Sequence, residues 1–248
     1  MSVGGRLLLS PPADGPTNMA VDAALLRCLV EGSMPTLRFY SWASPTLSLG
    51  YFQPLKRRGE HPSSRGLAVV RRASGGGAIV HDHELTYSLV MPARLLTSAA
   101  STALYGVMHG AIINAFAEAG VQLKRFAGQE TVCDGGEPFL CFQRRTAADV
   151  MLGGYKVLGS AQRRGRHGVL QHGSLLLAAS TAAPELPGIA DLCGRSSEPQ
   201  ELGQRIAAAL TEPLGLTWHA GQLTEAEIEA AEQLHASKFA NPKWNAKR

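Results

Sequence analysis

The sequence is short of most features that announce a function. Aromatic residues make up only 6% of its 248 positions, and no run of five or six like charges occurs. That leaves no aromatic-and-basic platform for nucleic acid. The net charge of +4 is mild and points at most to an acidic partner. Four cysteines are present, Cys28, Cys133, Cys141 and Cys193, with no C-x-x-C pair and no histidine at zinc-ligand spacing. A metal centre and a disulfide framework are therefore not expected, and nothing calls for a cofactor. No apolar stretch approaches the length of a membrane span, and Met1 to Leu9 holds too short an apolar run for a signal peptide. The expectation is a cytoplasmic protein with no membrane and no nucleic-acid partner, whose reduced thiols are free for chemistry. The lack of a coiled-coil seam predicts a monomer.

What is present is a 45% hydrophobic chain, enough for one large core. Strand patterns cover Arg6–Ser10, Thr36–Trp42, Thr46–Phe52, Leu67–Val70, Leu85–Met91, Ala148–Leu152, Tyr155–Gln162 and Val169–Leu177. Helical patterns cover Asn18–Glu31, with Asn18 as N-cap, and Thr102–Ala119, ended by Gly120. A further helix runs to about Leu210, opened by Ser197 with Gln200, and another covers Glu225–Phe239, opened by Thr224 with Glu227. Strands dominate the first two thirds without regular alternation with helices. The fold class is thus α+β: a large mixed, mainly antiparallel sheet with helices packed on it. Residues 1–215 form the main domain and 216–248 a helical appendage packed on it.

The central stretch is Arg71-Arg72-Ala73-Ser74-Gly75-Gly76-Gly77-Ala78-Ile79-Val80-His81-Asp82. Three consecutive glycines between strands carry a high entropic cost, justified where a ligand or another backbone comes close. Free N–H groups beside two arginines suit the polar end of a ligand. Lys156-Val157-Leu158-Gly159-Ser160-Ala161 and Gln171-His172-Gly173-Ser174 place small polar residues where strands normally carry bulk, again a sign of close approach. If their strands pair through the basic turn Arg163-Arg164-Gly165-Arg166, the two clusters are neighbours.

These stretches, with Asn18 to Asp22, Leu37 to Trp42 and Pro45 to Gln53, resemble in order and over nearly the whole chain the lipoate–protein ligase and octanoyltransferase superfamily. That superfamily shares a catalytic domain with biotin–protein ligases, so the resemblance implies that fold. His81-Asp82-His83-Glu84 and Cys141-Phe142, fifteen positions before Lys156, look like the cysteine-dependent octanoyltransferase branch. The resemblance implies an acyltransferase that takes octanoate from acyl carrier protein through a thioester on Cys141, with Lys156 beside it. The acceptor would be the lysine of a lipoyl domain or of the glycine cleavage H protein. It implies that Arg72, Ser74, Gly75, Gly76, Gly77, His81, Gly159, Ser160, Ala161, His172 and Gly173 bind substrate. Lys156, His172 and His81 stand as alternatives for deprotonating the acceptor amine. Cys133, Cys193 and Cys28 follow Cys141 as candidate nucleophiles. Lys56, Arg57, Arg58, Arg163, Arg164 and Arg166 are candidate docking charges. The related alternatives are an ATP-dependent lipoate ligase and a lipoyl-domain amidotransferase. Outside enzymes stands a non-catalytic acyl-binding homologue.

Overall fold

The computed structural model describes residues 3–96, 100–128 and 137–247, the side chains of 100–102 excepted. Cys133 and most of the loop around it lie outside these residues. In chain order, Val3–Leu9 forms β1 and Gly15–Arg27 forms α1. The cap of α1 is Asp14, not Asn18: its carboxylate accepts from the Thr17 N–H at 2.8 Å, and a proline sits in the first turn. Proline is tolerated there because the N–H it lacks would have no intrahelical partner. Asn18 is instead fully buried one turn on, donating to the Ala13 and Ser41 carbonyls and so tying the helix to the chain after the next strand. The helix also stops earlier than expected, with Cys28 as its C-cap.

Next come β2 (Thr36–Tyr40) and β3 (Thr46–Leu49). The basic segment that follows folds into two 3-10 turns, Leu55–Glu60 and Pro62–Ser64. β4 is Ala68–Arg71, β5 Ile79–His81 and β6 Glu84–Pro92. α2 is Ala100–Glu118, β7 Lys124–Arg125, β8 Val150–Leu152, β9 Tyr155–Arg164 and β10 Gly168–Leu176. The chain then runs through α3 (Ile189–Cys193), α4 (Pro199–Leu214), β11 (Leu216–Ala220), α5 (Glu225–Leu234) and α6 (Pro242–Asn245). The box expected at Ser197 and Gln200 is not formed, since α4 is entered from Glu198 without a side-chain cap. The Thr224–Glu227 box is formed at α5.

The main sheet has the order β11-β1-β2-β6-β10-β9-β8-β7. Its first two pairings are parallel and the rest antiparallel, which is the expected mixed, mainly antiparallel α+β architecture. A small second sheet has the order β4-β3-β5. The glycines do not close a hairpin between the strands on either side of them: β4 and β5 both pair with β3, and β6 belongs to the other sheet. The triple glycine thus links two strands that flank a third, and its backbone is left without a ladder to join.

Alternation along β6 divides the interior. Leu85, Tyr87, Leu89 and Met91 join the core under α2 and α4, while Val90 joins the core under α1 and α5. Glu84, Thr86 and Ser88 face away from the first core and are buried nonetheless. β11 pairs with β1 at the sheet edge, and α6 brings Trp244 and Asn245 onto Arg71. The described residues beyond 215 therefore share the sheet and core of the rest.

Candidate active site

The glycine stretch sets one wall of a cleft and holds the cysteine against it. A Cβ at Gly77 would lie 2.9 Å from the Cys141 nitrogen and 3.0 Å from its Cα, so only glycine lets the two segments meet. The contact is stitched by the main chain: the Ala78 N–H donates to the Phe139 carbonyl at 2.9 Å, and the Cys141 N–H to the Ala78 carbonyl at 2.7 Å. Phe139, Leu140 and Phe142 are buried anchors around a 3-10 turn, Cys141–Gln143, and the cysteine between them stays half-exposed toward the cleft. The apolar neighbours thus pin the turn without sealing the thiol.

The opposite wall is β9. Lys156 is 6% exposed, and its Nζ lies 3.7 Å from Cys141 Sγ, 3.2 Å from the Cys141 carbonyl oxygen and 2.9 Å from Asp149 Oδ1. The ammonium curls back over its own strand: a Cβ at Gly159 would sit 2.8 Å from Lys156 Cε and 3.1 Å from Nζ. The glycine three residues on is the space the lysine occupies. Asp149 is itself buried and fixed by the Thr146 N–H on its other oxygen, at 2.6 Å.

Between the walls lies a half-open, mainly apolar cleft of about 440 Å³, open solvent at its mouth included. Of the expected residues, Arg72, Gly75, Gly76, His81, Cys141, Gly159, Ser160, Ala161, His172 and Gly173 line it. Lys156, Ser74 and Gly77 do not: Lys156 is buried and meets the cleft only through Cys141, Ser74 is buried with its hydroxyl on His172 Nε2, and Gly77 is packed under Cys141. Met19, Tyr40, Trp42, Ile79, Thr86 and Ser174 also line it and were not picked out from the sequence.

Three histidines around the cleft are tied on both ring nitrogens. Arg72 donates to Ser48 Oγ at 2.5 Å, Ser48 Oγ lies 2.6 Å from His81 Nε2, and His81 Nδ1 lies 2.6 Å from Glu84 Oε1. With a carboxylate at Nδ1, a neutral His81 donates from Nδ1–H to Glu84 and accepts at Nε2 from the Ser48 hydroxyl. Burial pushes the His81 imidazole down, more than Glu84 pulls it up. Burial alone would raise Glu84, but His81, Thr86 and Ser174 hold it below the usual carboxylate range. Trp42 stacks on His81 at 3.8 Å between centroids. The remaining Arg72 donors go to the carbonyls of Ser48, Gly75 and Gly77. Arg72 thus holds the glycine loop in shape while lining the cleft.

His172 has Ser74 Oγ 2.5 Å from Nε2 and Asp22 Oδ2 3.3 Å from Nδ1. Asp22 also accepts from Arg38 and from the Tyr40 hydroxyl, each at 2.8 Å. Burial raises its carboxyl, but His172 and the Arg38 charge outweigh it and bring it below the ordinary value. On the α2 side, Gln171 donates to the Tyr87 hydroxyl, which lies 2.6 Å from Ser160 Oγ, itself 2.7 Å from His109 Nε2. His109 Nδ1 sits on the Ala148 carbonyl, and burial pushes this imidazole down to about 4. Ser160 is therefore the cleft end of a buried polar chain. Asp149 and His109 gave no local signal in the sequence, because each acquires its partner only through the fold; Asp22 and Glu84 lay in the motif stretches but were not singled out.

Cys193 is exposed on α3, away from the cleft lining, and Cys28 caps α1, its thiol pushed up by burial. Among the candidate docking charges, Arg57 pairs with Glu60, and Arg58 holds the carbonyls of Ser64, Arg65 and Leu67. Arg163 lies over the Tyr51 ring, near the mouth of the cleft, where Tyr51 packs against an exposed Phe52 beside Gly75. No helix among the described residues is long and apolar enough to cross a membrane.

The chain is similar to known proteins over nearly its whole length. The lipoyl protein ligase A/B catalytic domain matches residues 14–211. The octanoyltransferase LipM of Symbiobacterium thermophilum is 34% identical over 275 residues, covering 100% of both chains. That of Moorella thermoacetica is 33% identical over 268 residues, covering 98% of each. Among solved structures, the Thermoplasma acidophilum protein Ta0514, a putative lipoate protein ligase with bound lipoic acid, superposes with a TM-score of 0.81. It is 24% identical, covering 99% of this chain and 100% of that one. Lipoate-protein ligase A bound with ATP gives 0.81 at 23% identity, over 98% and 99%. These two likenesses speak for the fold.

Proposed function

The chain belongs to the lipoyl protein ligase A/B catalytic-domain family, and from that premise we propose that it is an octanoyltransferase of protein lipoylation that works through Cys141. Its full-length relatives are octanoyltransferases. The observation that carries the cysteine route is the thiol standing 3.7 Å from a buried ammonium at the floor of an apolar cleft.

A thioester donor is already activated, so the chemistry needs no nucleotide, only a thiolate in reach of the carbonyl. Lys156 supplies the opposing charge. At 3.7 Å and an effective dielectric near 20, an ammonium stabilises a thiolate by about 4 kcal/mol, before Asp149 is counted against it. In the first half-reaction the Cys141 sulfur bonds to the acyl carbon, the donor's C–S bond breaks, and the departing sulfur takes up the cysteine's proton. Beside the reacting sulfur, the ammonium would also offset charge developing on the carbonyl oxygen, a role worth roughly 100-fold to 1,000-fold in rate. In the second half-reaction the acceptor lysine amine attacks the Cys141 thioester, giving the amide and restoring the thiol.

The narrow slot between Gly75, Gly76, Gly159 and Ala161, closed by Met19 and Ile79, takes the acyl chain. The acceptor is a lipoyl domain. Acyl carrier protein is the proposed donor, supported by the absence of any need to activate a free acid.

The test is reconstitution without ATP: octanoyl-acyl carrier protein, an apo lipoyl domain and the enzyme. Octanoylated lipoyl domain is expected, and none with Cys141→Ala. Product that appears only with free octanoate and ATP would show a ligase. Product only from an octanoylated H protein or lipoyl domain would show an amidotransferase.

A further inference from the structure

Lys156 carries three protons, and the structure gives it three directions in which to point them. One meets Asp149 Oδ1 at 2.9 Å, one the Cys141 carbonyl at 3.2 Å, and the third faces Cys141 Sγ at 3.7 Å. Both members of the ion pair are buried, with side chains 3% and 6% exposed. A buried charge of this kind is held by its partner, and removing one partner leaves the other uncompensated. Asp149 is in turn fixed by the backbone: Oδ2 accepts from the Thr146 N–H, and its own N–H donates to the Thr146 carbonyl at 2.9 Å. This tight turn precedes β8, and β8 pairs with β9, the strand that carries Lys156. Asp149 thus reaches the lysine from the neighbouring strand's lead-in, seven residues away in sequence.

Resting on the cysteine route above, we propose that Asp149 is a positioning residue that holds Lys156 as an ammonium at the thiol through both half-reactions. Lys156 is then a fixed cation and not the group that accepts the proton of the acceptor amine. The balance of the second half-reaction agrees. A neutral amine nitrogen bonds to the acyl carbon, the bond from that carbon to Cys141 sulfur breaks, and the amine's proton passes to the departing sulfur. The Lys156 ammonium offsets the charge on that sulfur and loses nothing. Of the other charged or titratable groups at this point, Arg72 lies within electrostatic reach of Cys141 and favours charge on its sulfur, and His109 is pushed down chiefly by burial. The Phe142 ring, 5.4 Å from Nζ, presents a face that favours a cation.

The test is a double-mutant cycle on acyl-enzyme formation from octanoyl-acyl carrier protein, read by quenched intact mass. Asp149→Asn should slow acylation about 10-fold to 100-fold with donor KM little changed, since only the charge at the reacting atoms is disturbed. In a Lys156→Ala background the same change should cost nothing further, because the carboxylate acts through the lysine. Costs that multiply, or an Asp149→Asn protein within threefold of the unaltered enzyme, would overturn the proposal. A second reading needs no acylation: the ammonium resonance of Lys156 in protein labelled with nitrogen-15 at lysine Nζ. It should be present at neutral pH before and after octanoylation, vanish in Lys156→Ala and broaden in Asp149→Asn. If it is missing from the unaltered protein, or indifferent to Asp149, the proposal fails even where Cys141 acylates. If Cys141 never acylates, the cysteine route fails while the resonance still decides the role of Asp149.

Discussion

The two walls of the cleft are built from the same kinds of residues and do different work. On the glycine-loop wall, Arg72, Ser48, His81 and Glu84 form a chain of hydrogen bonds between buried side chains. On the β9 wall, Asp149 and Lys156 form a shorter chain that ends on a half-exposed thiol. The first looks catalytic by composition, with a histidine between a serine and a carboxylate, yet it has nowhere to send a proton. The second opens onto the space a substrate enters. On the proposed route, chemistry follows the end of the chain that faces the cleft, and residue type alone does not reveal which end that is.

The largest expected break in this contrast is at the thiol. Cys141→Ala should cut transfer by at least about 1,000-fold, or roughly 4 kcal/mol, with the melting temperature unchanged. Lys156→Met should cost roughly 100-fold to 1,000-fold in acylation rate. It should also destabilise the fold by about 3–5 kcal/mol in urea melts, because Asp149 is left buried and unpaired. Asp149→Asn combined with Lys156→Met should recover most of the stability and none of the rate.

The acid limb of stability sharpens the comparison from beneath the cleft. His109 is held near 4 against an ordinary 6.5, chiefly by burial, so the folded state prefers it neutral. Its contribution is fully present above pH 6.5 and is lost as pH falls toward 4, on the order of 3 kcal/mol in all. Denaturant melts of His109→Gln between pH 7 and 4 should show a flatter limb than those of the unaltered protein.

Smaller effects come from the glycine-loop wall. Gly77→Ala forces a methyl against the Cys141 backbone, and a displaced thiol should lower acylation about 100-fold, roughly 2.7 kcal/mol, with substrate binding retained. His81→Gln should lower stability by about 2 kcal/mol through its lost partners. Its rate per folded molecule should stay within about threefold. A folded His81→Gln protein without activity would erase the distinction between the walls.

How much of this was legible in the sequence depended on whether a feature was local. The β9–β10 pair, the helix ending at Gly120 and the Thr224 box rest on neighbours in sequence, and each forms as expected. Cys141 and Lys156 were reachable as a pair only through a family likeness, since fifteen intervening positions give no reason for them to meet. The glycine stretch lines the cleft, but the sequence did not show that both flanking strands pair with β3. The α1 start slipped because Asn18 is as good a cap by type as Asp14, and only burial distinguishes them. The alternation of β6 was visible as apolar against polar. What could not be seen is that Glu84 and Thr86 on its polar face meet His81 and Trp42 in place of water. Asp149 was silent for the same reason: a carboxylate announces nothing until a cation is folded against it.

The most direct test is the intact mass of the protein mixed with octanoyl-acyl carrier protein, with no nucleotide and no acceptor present. The account predicts a gain of one octanoyl group, mapped to Cys141 by peptide fragmentation and discharged when a lipoyl domain is added. An unmodified mass while the mixture still octanoylates an acceptor, or an adduct on any other residue, would contradict it.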